Sequence, residues 1–180
     1  MTDEAAIIRR VLEGDTDGFR LLLERYERPV VRMIANVTGD TQTCEDLAQD
    51  VFLTAFAKLK AFDPARSRFS TWLLTIARNK AINALKKKRP RVLAVPPERL
   101  DNVTPAETIA QRETSAELDR ALMALPSRQR RAFVLVEFEA LPYEQAAKIE
   151  ATRVGTIKSR VHRAKARLAR ALRKYETDHA

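Results

Sequence analysis

The chain has 180 residues, enough for one domain or two small ones, and carries a formal net charge of +9. An isoelectric point near 10.0 makes nucleic acid or another polyanion the leading class of partner. Only four Gly, eight Pro and few aromatic residues point to an all-α protein, and a single cysteine, Cys44, excludes an intramolecular disulfide framework and fits a reducing compartment.

The opening stretch, MTDEAAIIRRVLEGD, lacks the apolar run of a signal peptide, and no later segment is long and apolar enough to span a bilayer. A cytoplasmic protein without membrane insertion is expected. Residues 4–13 place Ala5, Ile8 and Leu12 at helical spacing and end at Gly14. A second helix starts near Asp17 and stops at Gly39, with Phe19, Leu22, Leu23, Tyr26, Val30, Ile34 and Val37 on its packing side and Pro29 as a candidate kink.

The third predicted helix runs from Thr43, a candidate cap, to about Lys60, and turns Leu47, Ala48, Val51, Phe52, Ala55, Phe56 and Leu59 to one side. Opposite stand Asp46, Gln49, Asp50 and Leu53, at i, i+3, i+4 and i+7. A purely solvated face has little use for Leu53, so the stripe reads either as an ordinary exposed face with acids near the helix N-terminus or as a docking surface. Cys44 is read as an inert small residue rather than a redox sensor.

The centre of the chain is DPARSRFSTWLLTIARNKAINALKKKRPR, with no acid between Asp63 and Glu98. A loop feeds a helix over Trp72–Lys88, capped by Ser70 or Thr71, with Leu73, Ala77, Ala81 and Ala84 on one side. Thr75, Asn79, Asn83 and Lys86 form a polar stripe on another, with Lys80 beside it and Phe69 and Trp72 at its start. Cations attract a phosphate backbone, while amides and aromatic faces suit unstacked bases, so the combination fits a single strand. The alternative puts Phe69 and Trp72 in the core and leaves the lysines solvated.

The sequence then changes character. Pro90, Pro96, Pro97 and Pro105 fall in a stretch without periodicity, a linker dividing the chain into 1–88, 89–113 and 114–180. Beyond it, helical spacing runs from Glu107 to Leu125 through Ile109, Leu118, Ala121, Leu122 and Leu125, and Pro126 breaks it. Ser127–Glu139 is short enough to mimic a strand but has no neighbouring strand to pair with, and is read as helix. Tyr143–Ile149, a brief break and a helix from Val154 to about Tyr175 follow, the last with a narrow stripe of Ile157, Val161, Ala164 and Leu168. Two short helices, the second basic outside, fit a helix-turn-helix whose second helix enters a major groove. Thr156, Lys158, Ser159, His162 and Arg163 lie near its start, suited to base edges; a solvated face or a membrane-surface helix would share its pattern.

Taken together, EDLAQDVFLTAF, FSTWLLTIARNKAIN, a Pro-rich linker and LPYEQAAKIEATRVGTIKSRVHRAKARL resemble an extracytoplasmic-function (ECF) sigma factor of the sigma-70 family, over about Phe19–Leu172. The resemblance implies two helical domains, sigma region 2 and a region 4 helix-turn-helix, and the function of binding bacterial core RNA polymerase and directing it to promoters. It implies that Asp46, Gln49, Asp50 and Leu53 dock on the clamp helices of the largest polymerase subunit. It assigns Arg66, Ser67, Arg68, Phe69, Trp72, Thr75, Asn79, Lys80, Asn83 and Lys86 to the melted minus-10 strand. Arg153, Thr156, Lys158, Ser159, Arg160, His162 and Arg163 are assigned to the minus-35 duplex. An anti-sigma factor is the implied regulator, able to hold the chain at the inner membrane, and the free chain is expected to be monomeric. Two positions and one stretch depart from the family pattern: Asn83 replaces a usual acid, Pro142 a usual capping Ser, and EATRVGT a more apolar turn in which Ala151 and Val154 are expected to pack.

A rival reading is an autonomous dimeric helix-turn-helix regulator, which leaves the acid-and-leucine stripe unexplained. An enzyme is not expected: His162 and His179 have no metal-ligand spacing, four scattered glycines make no phosphate loop, and Ser159 has no placed base. No cofactor is expected.

Overall fold

The computed structural model describes residues 4–39, 44–87 and 117–178, all helix and turn, in two compact units. The first holds α1 (Glu4–Leu12), α2 (Asp17–Thr38), α3 (Cys44–Lys58) and α4 (Phe69–Lys87). The second holds α5 (117–123), α6 (Ser127–Phe133), α7 (Tyr143–Ile149) and α8 (Val154–Asp178). Thr43, the linker and residues 107–116 of the helix predicted over Glu107–Leu125 lie outside the described residues.

In the first unit α2 is the central element and packs against α1, α3 and α4. Leu22, Val30 and Ile34 of α2, Val51 and Ala55 of α3 and Leu73, Leu74 and Ala77 of α4 are buried between them. Each of these branched chains, fully removed from water, contributes about 1.5–3 kcal/mol. The α1–α2 corner closes as the composition suggests: Gly14 takes φ +108°, Gly14 N–H donates to Val11 O at 3.1 Å and Asp15 N–H to Arg10 O at 3.0 Å. Pro29 lies inside α2, which continues through it. After α3 the chain tightens into a 3₁₀ turn at Leu59–Ala61, and α4 begins at Phe69, one turn earlier than predicted. Ser70 and Thr71 therefore sit inside its first turn rather than capping it.

In the second unit Ala121, Leu122 and Leu125 pack on Ala164 and Leu168 of α8. The sequence 127–139 is helical, as predicted, but its second half is a π-turn over Val134–Phe138, with Glu139 N–H donating to Val134 O at 3.0 Å. Pro126 and Pro142 are the residues before α6 and α7, their carbonyls accepting the first helical hydrogen bonds at 2.8–3.0 Å. Pro142 is thus at the cap position, and the helix forms without a side-chain cap.

Between α7 and α8 the turn is made by Ala151, at φ +48°. Ala151 N–H donates to Lys148 O at 3.2 Å and Thr152 N–H to Ala147 O at 3.0 Å, the geometry a helix usually closes with Gly. Ala151 is exposed and does not pack as expected; Val154 is half-buried.

Candidate nucleic-acid and polymerase interfaces

On α3, burial of Ala48, Val51, Phe52 and Ala55 fixes which side faces out, and Asp46, Gln49, Asp50 and Leu53 share it. Leu53 is 69% exposed, the largest exposure of any described large apolar side chain. Phe56, expected to pack, sits at the edge of the apolar face and meets Phe19 edge-on at 5.0 Å.

The loop into α4 is a tight turn. Ala65 N–H donates to Asp63 Oδ1 at 2.9 Å and Arg66 N–H to Asp63 O at 3.1 Å, leaving Arg66 and Arg68 exposed and Ser67 half-buried. Phe69 does not belong to that outer surface. Its ring is 1% exposed and packs against Tyr26, Phe62 and Trp72 with centroids 5.5–5.6 Å away, so the expected contact of Phe69 with a base is corrected: the ring is the floor that anchors the loop. Trp72 is half-buried against Phe62 and Phe69. Along the helix, Thr75 Oγ1 donates to Thr71 O at 2.7 Å, and Asn79 Oδ1 accepts from Arg78 Nη1 at 3.1 Å. Asn79, Asn83 and Lys86 are exposed. Lys80 is half-buried and its Nζ lies 2.5 Å from Asp50 Oδ2, joining the two stripes.

Arg153, just before α8, and Lys158, His162 and Arg163 on it are exposed, while Thr156 and Ser159 are half-buried. Lys158 Nζ sits 5.8 Å from the Tyr143 ring centre. Arg160 is the exception: its Nη1 lies 3.4 Å from Glu150 Oε2, and it turns back onto α7 instead of outward. Its expected place in the minus-35 contact set is corrected on that ground.

The partner of Arg160 was missed by the sequence reading. Glu150 is 4% exposed and receives a two-point contact from Arg131 of α6, Nε to Oε1 at 2.8 Å and Nη2 to Oε2 at 3.1 Å. One carboxylate thus ties α6, the end of α7 and α8 together. The signal was available, since Glu150 is an acid that directly follows the apolar Ile149 and is the last acid before the basic α8. Arg130 beside it donates to Met123 O at 2.9 Å, and burial, followed by repulsion from Arg131, pulls its pKa below the usual guanidinium range.

Among the described residues no cluster of three or more His, Cys, Asp and Glu could hold a metal, and no helix is long and apolar enough to cross a membrane.

An acid-and-leucine face beside a polar and basic helix in one unit, with a helix-turn-helix in the other, defines a two-module transcription factor of the sigma-70 class. Residues 22–91 match the profile of sigma-70 region 2, and residues 115–168 that of sigma-70 region 4. The chain is 30% identical to the ECF RNA polymerase sigma factor SigW of Bacillus subtilis, over 92% of this chain and 95% of that protein. It is 34% identical to the ECF RNA polymerase sigma-E factor of Escherichia coli, over 92% and 91%. Among solved structures, the sigma factor RpoE in complex with the anti-sigma factor NepR from Bartonella quintana superposes with a TM-score of 0.67 at 28% identity, covering 86% of this chain and 96% of that one. CnrH in complex with the cytosolic domain of CnrY superposes with a TM-score of 0.69 at 22% identity, covering 94% and 96%, a likeness of fold.

The chain belongs to the ECF sigma factors of RNA polymerase. It binds core polymerase and directs promoter-specific initiation, and it is a DNA-binding initiation factor rather than an enzyme. The autonomous dimeric regulator is displaced as a reading.

Proposed function

We propose the following division of labour within the chain. Asp46, Gln49, Asp50 and Leu53 dock on core polymerase. Arg66, Ser67, Arg68, Trp72, Thr75, Asn79, Lys80, Asn83 and Lys86 hold the opened minus-10 strand. Arg153, Thr156, Lys158, Ser159, His162 and Arg163 read the minus-35 duplex. The observation that carries this assignment is the 69% exposure of Leu53 among three polar residues on a helix whose other side is buried. An apolar side chain held out in water beside two carboxylates supports a protein contact.

The cations supply affinity without sequence information, and the amides, hydroxyls and Trp72 supply base recognition. The region around residues 1–88 acts as the polymerase and minus-10 module and 114–180 as the minus-35 module, with 89–113 between them. The chain works in the cytoplasm as a monomer when free. An anti-sigma factor covers its docking faces, by likeness to the NepR complex of the RpoE relative.

Co-purification with core polymerase, followed by run-off transcription, tests the assignment. Wild type binds and initiates, Asp50→Arg fails at the binding step, and Leu53→Ala weakens it. Equal retention of all three chains by core sinks the docking face.

A further inference from the structure

We infer that Arg167 and Arg170, continuing the line of Arg163, form a ridge on α8 that grips the sugar-phosphate wall of duplex DNA beyond the base-reading surface, giving minus-35 binding a sequence-independent, salt-sensitive component. The inference deepens the minus-35 reading proposed above and rests on it.

The three residues stand at i, i+4 and i+7, so they lie on one flank of the helix, and all are exposed. That flank continues the line of Thr156 and Ser159, on the side opposite Lys165. Three other cations of α8 are engaged within the unit. Arg160 is paired with Glu150, Lys165 with Glu137 at 2.9 Å, and Lys158 lies over Tyr143. Among the described residues Arg163, Arg167 and Arg170 meet no carboxylate.

A helix face designed only for solvation mixes its signs, as α2 does with Arg20 and Glu24 at i, i+4. On α8 the three arginines instead stand as like-charged neighbours at i, i+4 and i+7 and repel one another. A polyanion removes that repulsion. The placement selects which one: a major groove is about 12 Å wide. The base-reading residues from Thr156 to Arg163 already span about 10 Å of helix axis, and Arg167 and Arg170 stand about 6 and 10 Å further along. Beyond the groove edge the surface offered to a helix is phosphate, where an arginine fork binds two oxygens at once.

The test uses holoenzyme reconstituted with core polymerase. Promoter binding is measured between roughly 50 and 200 mM salt, on one fragment with the cognate minus-35 element and one with that element scrambled. In Arg167→Gln/Arg170→Gln the log–log salt slope is expected to flatten by roughly 2, close to 0.9 per lost phosphate contact, with affinity lowered by the same factor on both fragments. Arg167→Lys/Arg170→Lys is expected to keep most of the wild-type slope, and far-UV circular dichroism to show α8 intact in both. An unchanged slope overturns the ridge. So does a loss confined to the cognate fragment, which makes these residues base readers, or a loss that vanishes at saturating core polymerase, which makes their partner a protein. Wild-type holoenzyme that ignores scrambling would instead sink the minus-35 reading itself, whatever the slopes.

Discussion

Lys80 Nζ on α4 and Asp50 Oδ2 on α3 lie 2.5 Å apart, so the residue proposed to dock on polymerase is in contact with one proposed to hold DNA. Asp50 remains mostly exposed on its other side and Lys80 is largely covered. A partly exposed pair of this kind contributes about 0.2–1 kcal/mol.

Exchange of the two charges separates structure from docking. Asp50→Lys/Lys80→Asp restores the pair and is expected to unfold within about 1 kcal/mol of wild type, yet to lose core polymerase in a pull-down. Recovery of binding by the double variant would mean that Asp50 acts only by holding Lys80.

Removal of the buried carboxylate has a larger effect, because it strands a guanidinium. Glu150→Ala is expected to cost the second unit about 3–5 kcal/mol. The chain has one tryptophan, Trp72, in the first unit. Denaturant unfolding followed by Trp72 fluorescence should therefore stay near the wild-type midpoint while the helical signal splits into two transitions. A matching shift in both signals would show that the units unfold together.

Ala140 and Ala151 hold φ +49° and +48°, a region where a Cβ costs roughly 1–2 kcal/mol. Glycine relieves that strain and returns part of the gain to the unfolded chain. Ala140→Gly and Ala151→Gly are each expected to stabilise the second unit by about 0.5–1 kcal/mol, read as a higher thermal midpoint. A lower midpoint would refute the backbone reading.

Tyr26 reports on alkaline stability. Its hydroxyl donates to the Glu4 carboxylate, and burial, then that hydrogen bond, raise its pKa well above the ordinary 10.0. A raised folded pKa means that the neutral phenol's contribution is complete below about pH 10 and fades as pH climbs past it. The first unit of wild type should lose stability between about pH 10 and 11 faster than that of Tyr26→Phe, again by Trp72 fluorescence. Parallel curves would show that the half-buried phenol does not govern this range.

The stripe of Asp46, Gln49, Asp50 and Leu53 was legible in the sequence because period alone places four residues on one side once the opposite side is apolar. The same arithmetic, carried one turn back from Leu73 and Ala77, also puts Phe69 on the buried line of α4. Its proximity to a basic loop suggested a base contact, and packing against Tyr26, a residue from a different helix, decided otherwise. Arg160 flanks the stripe of Ile157, Val161 and Ala164, where sequence cannot tell an outward cation from one drawn inward, and the choice was made by Glu150 on α7. The π-turn at Val134–Phe138 and the turn at Ala151 depend on backbone hydrogen bonds that leave no residue signature, since neither uses the glycine that would announce it.

Two separate cores in one short chain also shape the genetics of its lesions. Damage to the Glu150 cluster disables the helix-turn-helix but leaves α3 and its exposed leucine folded in the other unit. Such an allele still occupies core polymerase, on the reading proposed above, and takes it away from the intact copy. It behaves as a dominant poison, whereas a lesion at the centre of the first unit, such as loss of Phe69, removes the competitor and is recessive.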